Sequence, residues 1–238
     1  ASKTPATTAL VETAGNQPVV QSNAVSATGL QGGLIVQLGS SDVSTAAKLS
    51  KTGRYLFHVI GKDADSISAA QKLIHKNGRY GLSWAEHTNQ PDRLPYAENV
   101  VNLIIIRDYS IPLPELLRVL TPGGSIVVTN PEIMSSTALS DIGLTSPEQQ
   151  ENYIVAVKRW PMEMDVWSHP RHAADGNAVS NDTLVGPPER VRWIAAATSE
   201  VEGMVTSGGR NFYGGILARD SFNGLRLWHR DLAKSEEN

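Results

Sequence analysis

Residues 34–38, LIVQL, form a short apolar run that is followed directly by Gly39, Ser40, Ser41 and Asp42. Three more runs of this kind occur downstream: YLFHVI at 55–60, VVNLIII at 100–106 and SIVVT at 125–129. Continuous Val, Ile and Leu runs are typical of strands buried on both faces, which occur in parallel sheets covered by helices. The four runs therefore predict the core strands of one α/β sheet.

The segments between these runs have the spacing of helices. In residues 65–75 the apolar side chains Ile67, Ala70 and Ile74 fall on one face of a helix. Two shorter helices and one weaker strand are expected at residues 43–50, 114–120 and 80–85. The alternation of strands and helices predicts a doubly wound α/β domain over about residues 32–158.

The rest of the chain has a different composition. Residues 1–31 are rich in Ala, Thr, Ser and Gly and predict a flexible tail, and residues 159–190 predict an irregular connector. Residues 191–238 predict a small all-β segment. Its strands are expected at residues 191–195, 203–206, 211–213, 216–219 and 225–229. So short a segment cannot close a barrel or propeller alone, so we expect it to pack on the α/β domain or to pair with another chain, as a homo-oligomer or with a partner chain.

Charge and cysteine content exclude several kinds of partner and site. Lys and Arg total 21 against 24 Asp and Glu, a formal net charge of −3, so no basic field is present to bind nucleic acid. The absence of Cys excludes disulfides, thiolate metal sites and cysteine nucleophiles. No apolar run approaches the roughly 20 residues needed to cross a bilayer, so no membrane-spanning segment is predicted.

The connector contains two histidines and two of the tryptophans. His169, His172 and Asp175 have a spacing that metal ligands can use, but the segment is interrupted by Pro and offers no fourth ligand. A packing or solvent-facing role is therefore favoured, and no metal site is predicted. The tryptophans of the C-terminal half are expected to fill a domain junction rather than to stack on a sugar or quinone. They are Trp160, Trp167, Trp193 and Trp228.

Four segments of the α/β region follow the order of one known family. They are LIVQLGSSD at 34–42, YLFHVIGKD at 55–63, RLPYAENVVNLIIIRD at 93–108 and LLRVLTPGGSIVV at 116–128. Together they resemble class I S-adenosylmethionine methyltransferases over about 100 residues. The resemblance implies a Rossmann-like sheet that binds S-adenosylmethionine across the carboxyl ends of strands one and two.

The resemblance implies cofactor contacts in the loop after the first strand. Gly39 would let the backbone approach the methionine part of the cofactor, but Ser40 and Ser41 stand where the family prefers an acid or a glycine-rich turn. The resemblance nevertheless implies that Ser41 occupies a cofactor-binding position. Asp42 either binds the cofactor amine or caps the helix that follows, and the capping role is favoured.

A second set of contacts is implied at the ends of strands two and four. Gly61 stands where the family has the acid that holds the ribose hydroxyls, and the nearest acid, Asp63, is two residues further on. Asp108 follows strand four on the side of the methyl acceptor, where it is a candidate base, although a loop or capping role is favoured. Because the glycine loop and the ribose acid are both altered, we expect a degenerate, non-catalytic domain with no cofactor bound. The alternative is an active S-adenosylmethionine-dependent methyltransferase that acts on a small molecule.

The C-terminal segment carries a second resemblance. ILARDSFNGLRLWHRDL at 216–232 has Asp220, Gly224 and Trp228 at the spacing found in pyrroloquinoline-quinone-type β-propeller repeats. Residues 165–194 resemble the linker of exported bacterial proteins that join such a propeller to a methyltransferase-like domain. One repeat is present where a propeller needs several, which implies a chain that is truncated relative to these proteins. The resemblance implies a role in binding or assembly in the periplasm or cell envelope, with the cytoplasm as the alternative.

Overall fold

The computed structural model describes residues 23–40, 42–90, 92–149, 152–184, 186–187, 191–196 and 203–230. The strands of the larger sheet are β1 (Gly33–Leu38), β2 (Tyr55–Gly61), β3 (Ser83–His87), β4 (Val101–Ile106), β5 (Leu120–Val128), β6 (Leu144–Gln149) and β7 (Ile154–Lys158). Their order across the sheet is β3-β2-β1-β4-β5-β7-β6. The four apolar runs of the sequence therefore form four adjacent strands, β2, β1, β4 and β5.

The centre of this sheet is parallel and buried. β1 pairs in parallel with both β2 and β4, and all six of its residues are buried. The sequence analysis predicts neither β6 nor β7, and β7 instead runs antiparallel to β5 and to β6. The reason is the short connection between β6 and β7, because residues 150–153 are too few for the crossover that parallel strands require.

Helices cover both faces of the sheet, as a doubly wound fold requires. They are α1 (Ser44–Leu49), α2 (Ala64–Lys76), α3 (Leu113–Val119) and α4 (Ser136–Asp141). The first two pack on one face and the last two on the other. β4 contributes to the hydrophobic cores on both faces of the sheet. Leu103 and Ile105 belong to the core under α1 and α2, and Ile104 and Ile106 belong to the core under α3 and α4. None of the helices in the described part of the chain is long and apolar enough to span a bilayer.

Part of the predicted tail packs on this domain. Residues 23–27 are helical, and Ala24 and Val25 are buried in the same core as α1 and α2. The hydroxyl of Tyr55 donates to the carbonyl of Leu30 at 2.7 Å and so fixes the approach to β1. Residues 1–22 lie outside the described residues, and the domain boundaries of the sequence analysis stay a prediction.

A second sheet follows the connector. Its four antiparallel strands are β8 (Met204–Ser207), β9 (Arg210–Tyr213), β10 (Leu217–Asp220) and β11 (Arg226–His229), in the order β11-β10-β9-β8. The carboxylate of Asp220 accepts the backbone N–H groups of Phe222 and Asn223, which forms the expected turn between β10 and β11. The strand expected at residues 191–195 is wrong. Trp193 from that segment instead packs against Gly224 of the turn, where only a residue without a side chain fits.

The small sheet docks at the amino ends of β1 and β4. Oδ1 of Asn102 accepts the backbone N–H of Leu34 and the side-chain amide of Asn223, each at 2.8 Å. Nδ2 of Asn102 donates to the carboxylate of Asp220 at 2.7 Å. Burial raises the pKa of Asp220, and its hydrogen bonds with Asn223 and Asn102 oppose this shift only in part. A buried polar network therefore joins the two sheets.

Two aromatic contacts extend this junction into the connector. Trp160 lies against Gly123 of β5 and Gly209 of the turn between β8 and β9. The backbone N–H of Trp167 donates to the hydroxyl of Thr206 at 2.9 Å, and the N–H of Thr206 donates to the carbonyl of Trp167 at 2.7 Å. The connector thereby covers the β8 edge of the small sheet, which would otherwise be free to pair with another strand.

Candidate functional site

The loop after β1 meets the loop after β4 at the carboxyl ends of these strands. Gly39 has a φ of 120°, and a Cβ placed on it would lie 2.5 Å from Oδ2 of Asp108. The Asp108 carboxylate therefore rests on the open face of the glycine. The N–H of Gly39 donates to the carbonyl of Ile60 at 2.8 Å. Ser41, the neighbouring predicted contact, lies outside the described residues.

A buried glutamine holds this loop from below. Gln37 has no exposed surface, and its Nε2 donates to the carbonyl of Gly39 at 2.8 Å and to that of Asp42 at 2.9 Å. These bonds satisfy two loop carbonyls that would otherwise be buried without a partner. The sequence analysis missed this residue, although a polar side chain inside the run LIVQL was a readable signal.

Arg107 brings two of the predicted site residues together. Its guanidinium is 6% exposed and lies 3.8 Å from Oδ2 of Asp42 and 3.9 Å from Oδ1 of Asp108. The other oxygen of Asp42 accepts the backbone N–H of Ser44, the first residue of α1, at 2.8 Å, whereas the N-cap position itself is Val43. The structure thus places Gly39, Asp42 and Asp108 around one buried cation.

The end of β2 is packed differently. A Cβ on Gly61 would lie 2.9 Å from Cδ1 of Ile67 and 3.3 Å from the hydroxyl of Ser40, so these side chains cover it. Asp63 is the N-cap of α2, and its carboxylate accepts the N–H of Ser66 at 2.7 Å. The hydrogen bonds from Ser66 lower the pKa of Asp63. The carboxylate of Asp63 is therefore engaged in the cap of α2.

Tyr109 contacts the carboxyl end of β2. Its hydroxyl donates to the carbonyl of Ile60 at 3.2 Å, and the ammonium of Lys62 lies 4.4 Å from the centre of its ring. Burial, with a smaller contribution from the charge of Asp108, raises the pKa of Tyr109 to about 12. The phenol therefore stays protonated at neutral pH and keeps its hydrogen bond to the strand.

One cavity adjoins the loop on the side of α2. It has a volume of about 310 Å³ and is lined by apolar residues of the helix together with Ser40, Asp42 and Ser66. Gly39 and Asp63 do not line it. The open space beside the loop therefore borders Asp42 alone among the predicted acids.

The histidines of the connector serve a local hydrogen-bond network. Nε2 of His172 bonds to Asp165 at 2.7 Å, and the N–H of Asn181 donates to the same carboxylate at 2.7 Å. Several hydrogen bonds, of which the one from the backbone N–H of Asn181 has the largest effect, lower the pKa of Asp165 to about 2. Asp175 accepts a bond within its own turn, and His169 pairs with His172 through the backbone. In the ranges that the structure describes, no group of three acids or histidines is arranged to hold a metal ion.

A buried histidine in β2 was also missed. His58 is 2% exposed, stacks on Trp84 with ring centres 4.5 Å apart, and forms a hydrogen bond between Nδ1 and the hydroxyl of Tyr96. Burial lowers the pKa of His58 to about 4 and raises the pKa of Tyr96. The carboxylate of Glu86 is 3.4 Å from Nε2 but largely exposed, so it offsets little of the burial effect. The imidazole is therefore neutral at pH 7.

Solved structures share the fold of the α/β region. A proposed S-adenosyl-L-methionine-dependent methyltransferase from Methanococcus maripaludis is 16% identical, with 61% of this chain and 85% of that chain covered and a TM-score of 0.50. A methyltransferase from Aquifex aeolicus is 18% identical, with 57% and 88% covered and a TM-score of 0.49. A proposed methyltransferase from Pseudomonas syringae is 11% identical, with 60% and 97% covered and a TM-score of 0.45.

At these identities the likeness concerns the fold alone. The first match, at a TM-score of 0.50, shows that the α/β region has a methyltransferase-like, Rossmann-like fold. No protein-family model matches the chain, and no curated protein matches it. The function therefore has to be argued from the site.

Proposed function

We propose that this protein is a methyltransferase-fold scaffold that does not use S-adenosylmethionine and acts in binding or assembly at the cell envelope. The observation that carries the proposal is the buried guanidinium of Arg107 between Asp42 and Asp108. This guanidinium lies at the carboxyl ends of β1 and β4, where proteins of this fold bind their ligands.

The charge of Arg107 weakens this edge as a site for the cofactor. S-adenosylmethionine carries a sulfonium and an ammonium, and both cations need carboxylates or carbonyl oxygens around them. Here the two acids lie within 4 Å of Arg107, whose charge offsets one of their two negative charges, and the loop carbonyls of Gly39 and Asp42 are bound to Gln37. A cofactor cation placed 4 Å from the guanidinium of Arg107 would be repelled by about 4 kcal/mol at an effective dielectric constant of 20. That repulsion is half of a micromolar binding free energy.

Packing opposes the cofactor as well. The face of Gly39 is covered by the carboxylate of Asp108, and Gly61 is covered by Ile67. Tyr109 bonds to the end of β2. The residues described here therefore do not fit the cofactor, and no methyl-transfer step is assigned to them.

Calorimetric titration of the whole chain with S-adenosylmethionine and with S-adenosylhomocysteine tests the proposal. We expect no saturable heat up to about 1 mM of either compound. Micromolar binding of either compound would overturn the proposal and favour an active methyltransferase. Asp42→Asn should then weaken it, because the asparagine keeps an acceptor for the N–H of Ser44 but removes the charge. Asp65→Asn is the matched control, since Asp65 is an exposed acid in the first turn of α2.

The small sheet supports the part of the proposal that concerns assembly. A propeller blade is a four-stranded antiparallel sheet, and this sheet has four antiparallel strands with Asp220 and Gly224 in its last turn. We propose that it is a single blade-like unit that recruits a partner chain or a second copy. Light scattering of the purified chain, alone and after size exclusion, tests self-association. A monomer that captures no partner in an envelope extract would contradict this part.

A further inference from the structure

The strongest unassigned feature is a groove between the two sheets. It has a volume of about 360 Å³ and opens between Arg54, which precedes β2, and the strands β9 and β11. Arg54 lies at the amino end of the parallel strands, whereas Gly39 follows the carboxyl end of β1. Six strand residues separate the two ends, a distance of about 20 Å at the usual rise per residue. The groove is therefore separate from the candidate site above.

Three arginines line this groove. Arg54, Arg210 and Arg230 are exposed, and none of them takes part in a salt bridge among the residues that the structure describes.

 No carboxylate stands among the described residues that line it. Asp220 lies close enough for the charge of Arg210 to act on it, but its carboxylate is buried and already bound to Asn102. In a chain with a net charge of −3, the three arginines concentrate positive charge at this groove.

The floor of the groove is apolar and aromatic. Leu227 is buried, and Phe212 and Trp228 are half-buried with their ring centres 6.3 Å apart. The guanidinium of Arg230 lies 5.5 Å from the centre of the Trp228 ring, so one cation is already positioned over an aromatic face. Such a floor offers a stacking surface, and the arginines offer paired N–H donors that match carboxylate and phosphate groups.

We propose that this groove binds a small planar aromatic molecule that carries two or more carboxylate or phosphate groups. The volume is within the range of small-molecule pockets, and the position between two packed units is typical of such sites. The aromatic part of the ligand stacks on Trp228 and Phe212. Its anionic groups pair with Arg54, Arg210 and Arg230, which stand on both sides of the groove.

Titration of the whole chain at about 0.15 M salt tests the proposal. The probes are adenosine diphosphate and benzene-1,3,5-tricarboxylate, which separate a phosphate-bearing from a carboxylate-bearing ligand. Adenosine supplies the ring without the charge, and inorganic phosphate supplies the charge without the ring. We expect one of the charged aromatic probes to bind at least tenfold more tightly than either partial probe, with quenching of tryptophan fluorescence that Trp228→Leu removes.

Arginine variants locate the site. Arg54→Gln and Arg230→Gln are each expected to weaken binding about tenfold, the usual effect of removing one charged hydrogen-bond donor. Arg226→Gln is the matched control, because Arg226 is exposed on the same strand as Trp228 but does not line the groove. We expect less than a twofold change for this control. Thermal melts of all four variants check that each one is folded.

Three results would overturn the proposal. The first is the absence of binding by every probe at about 1 mM. The second is binding that Arg54→Gln and Arg230→Gln leave unchanged, which would place an adenosine ligand elsewhere, including the Gly39 loop. The third is tighter binding of a single-stranded oligonucleotide than of either small probe, which would make the groove a nucleic-acid surface.

Discussion

The two ends of β1 and β4 are built in opposite ways. At the carboxyl ends, Asp42, Arg107 and Asp108 form charged contacts of 3.8 and 3.9 Å beside a glycine loop. At the amino ends, Asn102 and Asp220 form a buried hydrogen bond of 2.7 Å that joins two sheets. The bond between Asn102 and Asp220 is short, whereas the contacts of Arg107 exceed hydrogen-bond distance, so we expect each of them to contribute less to stability. We therefore expect the edge where this fold binds ligands to contribute less to the free energy of unfolding than the opposite edge, where the two sheets are joined.

The largest expected effect is at the amino ends. Asp220→Ala removes the acceptor for Nδ2 of Asn102 and for the turn N–H groups of Phe222 and Asn223. We expect the free energy of unfolding, measured in urea, to fall by about 4 kcal/mol, because several buried donors lose their partner at once.

A matched acid tests whether position or charge causes this loss. Asp175→Ala removes an exposed carboxylate that accepts one bond within its own turn, so we expect a change below about 0.5 kcal/mol. A loss below about 1 kcal/mol for Asp220→Ala would break the comparison, because the junction would then not be the stronger edge.

The second prediction concerns the stability of the protein at acidic pH, which depends on His58 in the buried strand β2. The pKa of His58 is lowered to about 4 by burial, from an ordinary value of 6.5. The unfolded chain therefore takes up this proton first, and stability that is present above pH 6.5 is lost as the pH falls toward 4. We expect His58 to account for a loss of about 3 kcal/mol over this range.

Urea unfolding at pH 7 and at pH 4.5 measures this loss. In His58→Phe the pH dependence over this interval should be smaller than in the parent chain by most of that amount. His87→Gln is the control, because it removes an imidazole that is exposed at the end of β3, and the change in His58→Phe should be the larger of the two. Equal pH dependence in His58→Phe and the parent chain would refute the prediction.

The third prediction returns to the carboxyl ends. Gly39→Ala puts a side chain at a φ of 120° and a Cβ 2.5 Å from the carboxylate of Asp108. We expect the free energy of unfolding to fall by about 2 kcal/mol, mainly from the backbone strain. The double variant Gly39→Ala with Asp108→Ala should recover only the part caused by the contact. Full recovery would show that the contact, and not the backbone, sets the requirement for glycine.

The sequence predicted the elements with strong local patterns. The four apolar runs became β1, β2, β4 and β5, and the stripe of Ile67, Ala70 and Ile74 became the buried face of α2. Local patterns carry such information because burial on both faces or on one helical face is visible in neighbouring residues. The antiparallel β7 escaped prediction, since strand direction depends on which strands meet in the folded chain.

The polar contacts of the site and junction were harder to predict. Asn102 and Asp220 are 118 residues apart, and nothing in the local sequence of either one indicates the other. The contact between Arg107 and Asp42 has the same cause, because these two residues come from different loops. By contrast, the turn at Asp220 and Gly224 was predicted, since both of its partners lie within five residues.

The smallest expected effect separates two roles of one carboxylate at the carboxyl ends. Asp63 was considered as a ribose ligand, but its side chain accepts the N–H of Ser66 and caps α2. Asp63→Ala should lower the melting temperature by about 2 °C, whereas Asp63→Asn should leave it unchanged, because asparagine caps a helix as well as aspartate does. Neither variant should alter binding of adenosine diphosphate in the groove near Arg54. A fall in melting temperature for Asp63→Asn equal to that for Asp63→Ala would mean that the charge, rather than the cap, is what this edge requires.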